Sequence, residues 1–167
     1  MMNAGAYGGE MKDIVESVSL MDYDGNLFEK TCEEMDFSYR HSIVEDNDYI
    51  IVGATLKLHK GDPKEIEEKM QELAIARKTK QPLEFPSAGS TFKRPEGYYA
   101  GKLIMDAGLR GYSVGDAQVS EKHCGFVVNK GGASSRDIRD VIEDVKKRVF
   151  ESSGVLLEEE VILLGEF

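Results

Sequence analysis

The stretch Asp48–Leu73, DYIIVGATLKLHKGDPKEIEEKMQEL, changes period halfway along. Its first half is a β-branched apolar run that then alternates through Ala54, Leu56 and Leu58, which reads as a strand. After Gly61 the pattern becomes helical. Asp62 is a candidate N-cap and Pro63 suits a first helical residue. Ile66, Met70, Leu73 and Arg77 follow at helical spacing, with glutamates and lysines between them. This change at Gly61 sets a domain boundary.

Upstream of the boundary the chain reads as β-rich. DIVESVSLMD (13–22) alternates loosely through Ile14, Val18 and Leu20. Asp24-Gly25 is a hairpin signal, and NLFEKTCEEM (26–35) reads as the return strand. DFSYRHSIVEDN (36–47) reads as an irregular connection, with no helix expected between residues 12 and 59. Downstream, EGYYAGKLIMDAGLRGY (96–112) predicts a short helix ending near Gly108, and CGFVVN (124–129) a buried strand. Ser134 or Ser135 caps a long helix whose apolar residues are Ile138, Val141, Ile142, Val145 and Val149. Lys146, Lys147 and Arg148 are expected in its last turn, facing the helix dipole. GVLLEEEVILLG (154–165) reads as a closing strand. The fold class is therefore α+β: a β-rich part over 1–61, an α+β domain over 62–153, and a closing strand over 154–167.

Composition narrows the function. The 167 residues are 41% hydrophobic and 31% charged, as in an ordinary globular chain, with a formal net charge of −10. That balance argues against a nucleic-acid partner or an anionic membrane surface. No apolar run is long enough to span a bilayer. Cys32 and Cys124 lack metal-ligand spacing and read as free thiols, so a cytoplasmic location is expected. No metal constellation is present, and His41 and His123 read as surface or hydrogen-bonded histidines.

Several residues could carry chemistry. In FPSAGSTFKRP (85–95), Gly89 suits a sharp turn that presents the Ser90 hydroxyl, with Lys93 and Arg94 just behind it. The pattern suits an anionic ligand as well as a plain loop. It is not a GxSxG elbow, so acyl transfer is disfavoured. Arg40, between Tyr39 and His41, has a planar fork suited to carboxylate or phosphate. Lys78 and Lys80 are either a solvated helix end or diphosphate ligands. In the triplet Glu158-Glu159-Glu160, strand alternation turns Glu159 away from its neighbours. A carboxylate turned inward requires a partner or a function. The glycines at positions 5, 8 and 9 read either as close backbone approach or as a loose tail.

The segments MNAGAYGGEM, FSYRHS, QPLEFPSAGSTFKRP, AGKLIMDAGLRGYSVGDAQVSEKHCGFVVN and LEEEVILLG together resemble the UDP-N-acetylenolpyruvoylglucosamine reductase (MurB) family across essentially the whole chain. The resemblance implies the C-terminal part of such a reductase, of the compact subtype without an extra tyrosine-bearing loop. It implies an FAD enzyme that uses NADPH to reduce UDP-N-acetylglucosamine enolpyruvate to UDP-N-acetylmuramate for peptidoglycan. Residues 1–61 would be the end of the FAD-binding domain and 62–153 the substrate-binding domain. The glycine-rich loops that hold most of the FAD in the family are not in this sequence, so the FAD site is expected to be incomplete. By the same resemblance, Ser90 matches the proton donor, and Arg40 and Glu160 match the pair acting on the substrate carboxylate. Lys80 and Arg94 match substrate anchors. Asn3, Gly5, Ala6, Tyr7 and Gly8 match one wall of the flavin site. The alternative readings are a flavin-free UDP-sugar-binding module and an inactive fragment.

Overall fold

The computed structural model describes residues 1–165. The chain divides into two compact units, Met1–Pro63 and Lys64 onward.

The first unit opens with a small hairpin of β1 (Gly5–Ala6) and β2 (Gly9–Glu10), followed by a 3-10 turn at Met11–Asp13. β3 (Val15–Asp22), β4 (Leu27–Thr31) and β5 (Tyr49–Leu56) then form an antiparallel sheet in the order β4-β3-β5. The Asp24-Gly25 turn joins β3 to β4 as its sequence dictates. Gly25 takes φ 85°, and the Asp22 carboxylate accepts from the Asp24 and Asn26 amides at 3.0 and 2.9 Å. Val15, Val18 and Leu20 of β3 bury against Met35 and Val44. Val44 lies on a one-turn helix, α1 (Ile43–Asp46), inside the stretch expected to be irregular. Four residues are too few to show a period, which is why the pattern missed it. β5 is an edge strand, and Ile50, Ile51, Val52 and Leu56 remain exposed along it.

The second unit contains a four-stranded antiparallel sheet, β6 (Ser87–Ser90), β7 (Ser113–Val114), β8 (Ala117–Val119) and β9 (Phe126–Asn129), in the order β6-β9-β8-β7. Its helices are α2 (Pro63–Lys80), α3 (Ala100–Asp106) and α4 (Ser135–Ser153). α4 has both ends fixed. The Ser134 hydroxyl accepts from the Asp137 amide at 3.1 Å, and the Asp137 carboxylate accepts from the Ser134 amide at 2.8 Å. Gly154 closes the far end at φ 72°. Between these caps, Val141, Ile142, Val145 and Val149 are buried with Ile104, Leu109, Val119 and Leu157.

Three details differ from the sequence pattern. Lys146, Lys147 and Arg148 do not occupy the last turn of α4, because the helix continues to Ser153. Lys146 instead pairs with Glu143 and Glu159, and Arg148 stacks over Tyr112 at 4.3 Å. α2 forms over the expected span but buries none of its residues, including Ile66 and Met70. The stretch read as a closing strand pairs at a single bridge, Glu159 with Phe92. The α+β class stands.

The contrast between α2 and α4 predicts their exchange behaviour. An isolated helix of this length is marginal in water, and packing supplies most helix stability. Hydrogen exchange should therefore find α4 amides around Val141–Val149 protected to the level of global unfolding, and α2 amides exchanging at least about 100-fold faster.

Candidate functional site

Ser90 does not sit on a free turn. It ends β6, which pairs with β9 through Ser87↔Val128 and Ser90↔Phe126. The spacing leaves one extra residue on the β6 side, a bulge that contains Gly89 at φ 91°. A Cβ on Gly89 would meet nothing within 4 Å, so backbone conformation rather than crowding calls for glycine there. The bulge re-aims the end of an exposed edge strand and sets the direction of Ser90.

Thr91, which sequence reasoning passed over, fastens this strand end. It is buried, with its amide donating to the Gly125 carbonyl at 2.8 Å and its hydroxyl accepting from the Val127 amide at 3.0 Å. Its carbonyl accepts from the Glu160 amide at 2.9 Å. Next to it, the Lys93 amide donates to the Glu158 carbonyl at 2.8 Å. The segment 158–160 thus docks along 91–93 and brings the Glu160 backbone to Thr91, the residue after Ser90. The triplet is divided, with Glu158 exposed and both Glu159 and Glu160 half-buried. Glu158 has Lys93 at 3.7 Å, whereas Glu159 is held by Lys146 at 2.7 Å. The bond to Glu159 is the main cause that raises the Lys146 ammonium above its usual range.

Next along the chain, Arg94 donates through Nε to the Tyr98 carbonyl at 3.3 Å and stacks over Tyr99 at 4.1 Å. Lys80 ends α2 and is exposed. The Lys122 ammonium fixes that helix end by donating to the Lys78 carbonyl at 2.8 Å. A cleft of about 310 Å³ opens nearby, lined by Phe85, Gln118, Ser120, Lys122 and Lys130. His123 serves its own loop, accepting from the Gly125 amide at 3.1 Å and packing edge-on to Phe126. Among the described residues no cluster of histidine, cysteine and carboxylate side chains could hold a metal. No helix among them is long and apolar enough to cross a membrane.

In the first unit, Arg40 stands at the tip of a tight turn closed by Ser38 and His41, whose amides and carbonyls pair at 3.2 and 3.4 Å. Arg40 takes φ 55°, a conformation that favours glycine or asparagine at this place in a turn. Its guanidinium lies 5.1 Å from the Tyr39 ring centroid. Asn3 ties this turn to the opening hairpin. It is buried, and its amide group donates to the Ser38 carbonyl at 3.1 Å and to Glu10 at 2.8 Å. Its oxygen accepts from the Lys12 amide at 3.0 Å. Lys12 first, and Asn3 second, hold the Glu10 carboxyl below its ordinary range. Tyr7 and Gly8, at φ 54° and 88°, make the hairpin turn, and Gly5 and Ala6 are exposed on its strand.

These features have a common source in known proteins. Residues 81–164 match the family described as UDP-N-acetylenolpyruvoylglucosamine reductase, C-terminal domain. The chain belongs to this family. It is 61% identical over 165 residues to the UDP-N-acetylenolpyruvoylglucosamine reductase of Clostridioides difficile (strain 630), covering 99% of this chain and 54% of that protein. It is 59% identical to the reductase of Agathobacter rectalis, covering 100% of this chain and 53% of that protein. The crystal structure of the reductase (MurB) from Thermus caldophilus superposes with a TM-score of 0.79 at 39% identity, over 95% of this chain and 57% of that one. The chain spans about half the length of the curated relatives it matches.

The two left-handed positions predict opposite responses. Gly89→Ala should lower unfolding stability by about 1–2 kcal/mol through backbone strain alone. Arg40→Gly relieves strain and should raise it by about 0.5–1 kcal/mol, after the entropy cost of glycine. Denaturant titration of each variant against the parent checks both signs.

Proposed function

We propose that this chain carries the substrate-reducing machinery of a UDP-N-acetylenolpyruvoylglucosamine reductase acting in peptidoglycan synthesis. The observation that supports the reading is the docking of 158–160 along 91–93, which brings the Glu160 backbone to Thr91, the residue after Ser90. In this reading residues 1–61 are the end of the FAD-binding domain, 62–153 the substrate-binding domain, and 154–167 the segment that delivers Glu160. The free cysteines Cys32 and Cys124 support a reducing, cytoplasmic setting.

The opening hairpin fits one wall of a flavin site. Cβ atoms at Gly8 and Gly9 would meet nothing within 4 Å, so bare backbone is open to a planar group there. Gly5, Ala6, Tyr7 and Gly8 would line this wall. Asn3, with its amide fully engaged, supports the wall from behind. When bound, FAD reduced by NADPH supplies hydride to the methylene carbon of UDP-N-acetylglucosamine enolpyruvate.

The residues of this chain manage the charge and the proton. Hydride addition at the methylene leaves an electron pair on the carbon next to the substrate carboxylate, delocalised as an enolate. The Ser90 hydroxyl donates its proton to that carbon, and solvent later restores it. A serine is a weak acid, but an enolate carbon is basic enough to take its proton when held in contact. Arg40 binds the carboxylate and offsets the charge that builds there. Glu160, when protonated, donates a hydrogen bond to the same group. Lys80 and Arg94 hold the diphosphate or the carboxylate, Arg94 with its stem fixed by Tyr98 and Tyr99.

Stopped-flow absorbance in the flavin-loaded enzyme separates the two half-reactions. Ser90→Ala should leave flavin reduction by NADPH nearly unchanged and slow reoxidation by substrate about 10²- to 10⁴-fold. Ser90→Cys should recover part of that loss. Equal slowing of both halves would make Ser90 a structural part of the flavin pocket and end its assignment as proton donor.

A further inference from the structure

Glu160 lies on the segment that returns from α4 to the end of β6. Between Gly154 and Gly165 the described residues form no strand of regular length, and two backbone hydrogen bonds join 158–160 to 91–93. Alternate residues divide between two sides. Val155, Leu157 and Val161 pack toward the core of the second unit, with Leu157 fully buried, while Leu156 and Glu158 are exposed. Glu159 belongs to the inward row, where a lone carboxylate would be costly. Lys146 of α4 meets it at 2.7 Å, and the two side chains are only 27% and 20% exposed. Lys146 also lies 3.4 Å from Glu143 on its own helix.

We propose that Lys146 and Glu159 form a clamp that positions Glu160. Lys146 holds the Glu159 carboxylate on the helix side of the segment, so the following residue presents its carboxyl on the opposite side, next to Ser90. Without the cation, Glu159 would leave the inward row for water. Because neighbouring side chains along an extended segment point to opposite sides, that rotation would carry Glu160 inward. Lys146 and Glu159 are positioning residues, and their role rests on the reading of Glu160 given above.

The test begins on this chain without substrate or cofactor. Lys146→Met should speed amide exchange at Glu160 and Lys93 about tenfold or more while α4 amides keep their protection. Lys146→Arg, which still reaches Glu159 with a cation, should restore the parent rates. In the flavin-loaded enzyme Lys146→Met should lower turnover about 10- to 100-fold with little change in substrate KM, as expected for a misplaced acid. Unchanged exchange at Glu160 and Lys93, or failure of Lys146→Arg to rescue, overturns the clamp. Undiminished turnover in Glu160→Gln overturns the role of Glu160 itself, and with it the catalytic purpose of the clamp, whatever the exchange rates show.

Discussion

Burial of one face of α4 is the constraint on which the second unit depends. Val141, Ile142, Val145 and Val149 are each essentially inaccessible to water, and each contributes about 1.5–3 kcal/mol relative to exposure. The capping box at Ser134 and the left-handed Gly154 fix where that face begins and ends. A chain leaving at Gly154 must therefore place Val155 and Leu157 back on the same core. Three glutamates then arrive at the end of β6. The helix thus sets where the returning segment 158–160 meets the strand end at 91–93, although it contributes no residue to the proposed chemistry.

The first unit uses conformational strain where the second uses packing. Asn3, Tyr7 and Arg40 all take left-handed backbone conformations, as does Asp36, and none of them is glycine. Such conformations cost of order 1–3 kcal/mol each and persist only when the surroundings over-determine them. Asn3 shows how. Its side chain makes three hydrogen bonds that join the opening hairpin, the Lys12 amide and the Ser38 carbonyl. The turn presenting Arg40 is held from behind.

The parts of the fold governed by local chemistry were legible in the sequence. The Asp24-Gly25 turn, the Ser134 cap, the apolar stripe of α4 and the start of α2 at Pro63 each follow from a few adjacent residues. What depends on distant partners was not. The hairpin of β7 and β8 has strands of two and three residues, too short to alternate visibly. α2 has helical spacing, yet nothing in that spacing says whether a partner covers it. The SAGS stretch contains the glycine of a bulge, but a bulge exists only relative to β9, so it read as a turn. The glutamate triplet announced an inward carboxylate, and alternation set Glu159 apart from its neighbours without showing which side faced in. That Lys146 answers it required the helix and the returning chain to be seen together. Thr91 gave no signal, because a threonine tying three segments looks like any other.

The exposed edge of β5 bears on how the chain behaves in bulk. Tyr49–Leu56, YIIVGATL, has no charged residue and no proline, and it leaves apolar side chains and a row of unpaired backbone groups in water. Such a segment is a template for stacking of like strands. Asp48 and Lys57 flank it as charged gatekeepers, and the net charge of −10 carried by the chain as a whole adds a second safeguard. That safeguard is long-ranged and soft, since dissolved salt screens it within about 8–10 Å at physiological strength. Colloidal stability here is an electrostatic property of the entire molecule, whereas the liability it restrains is a single strand.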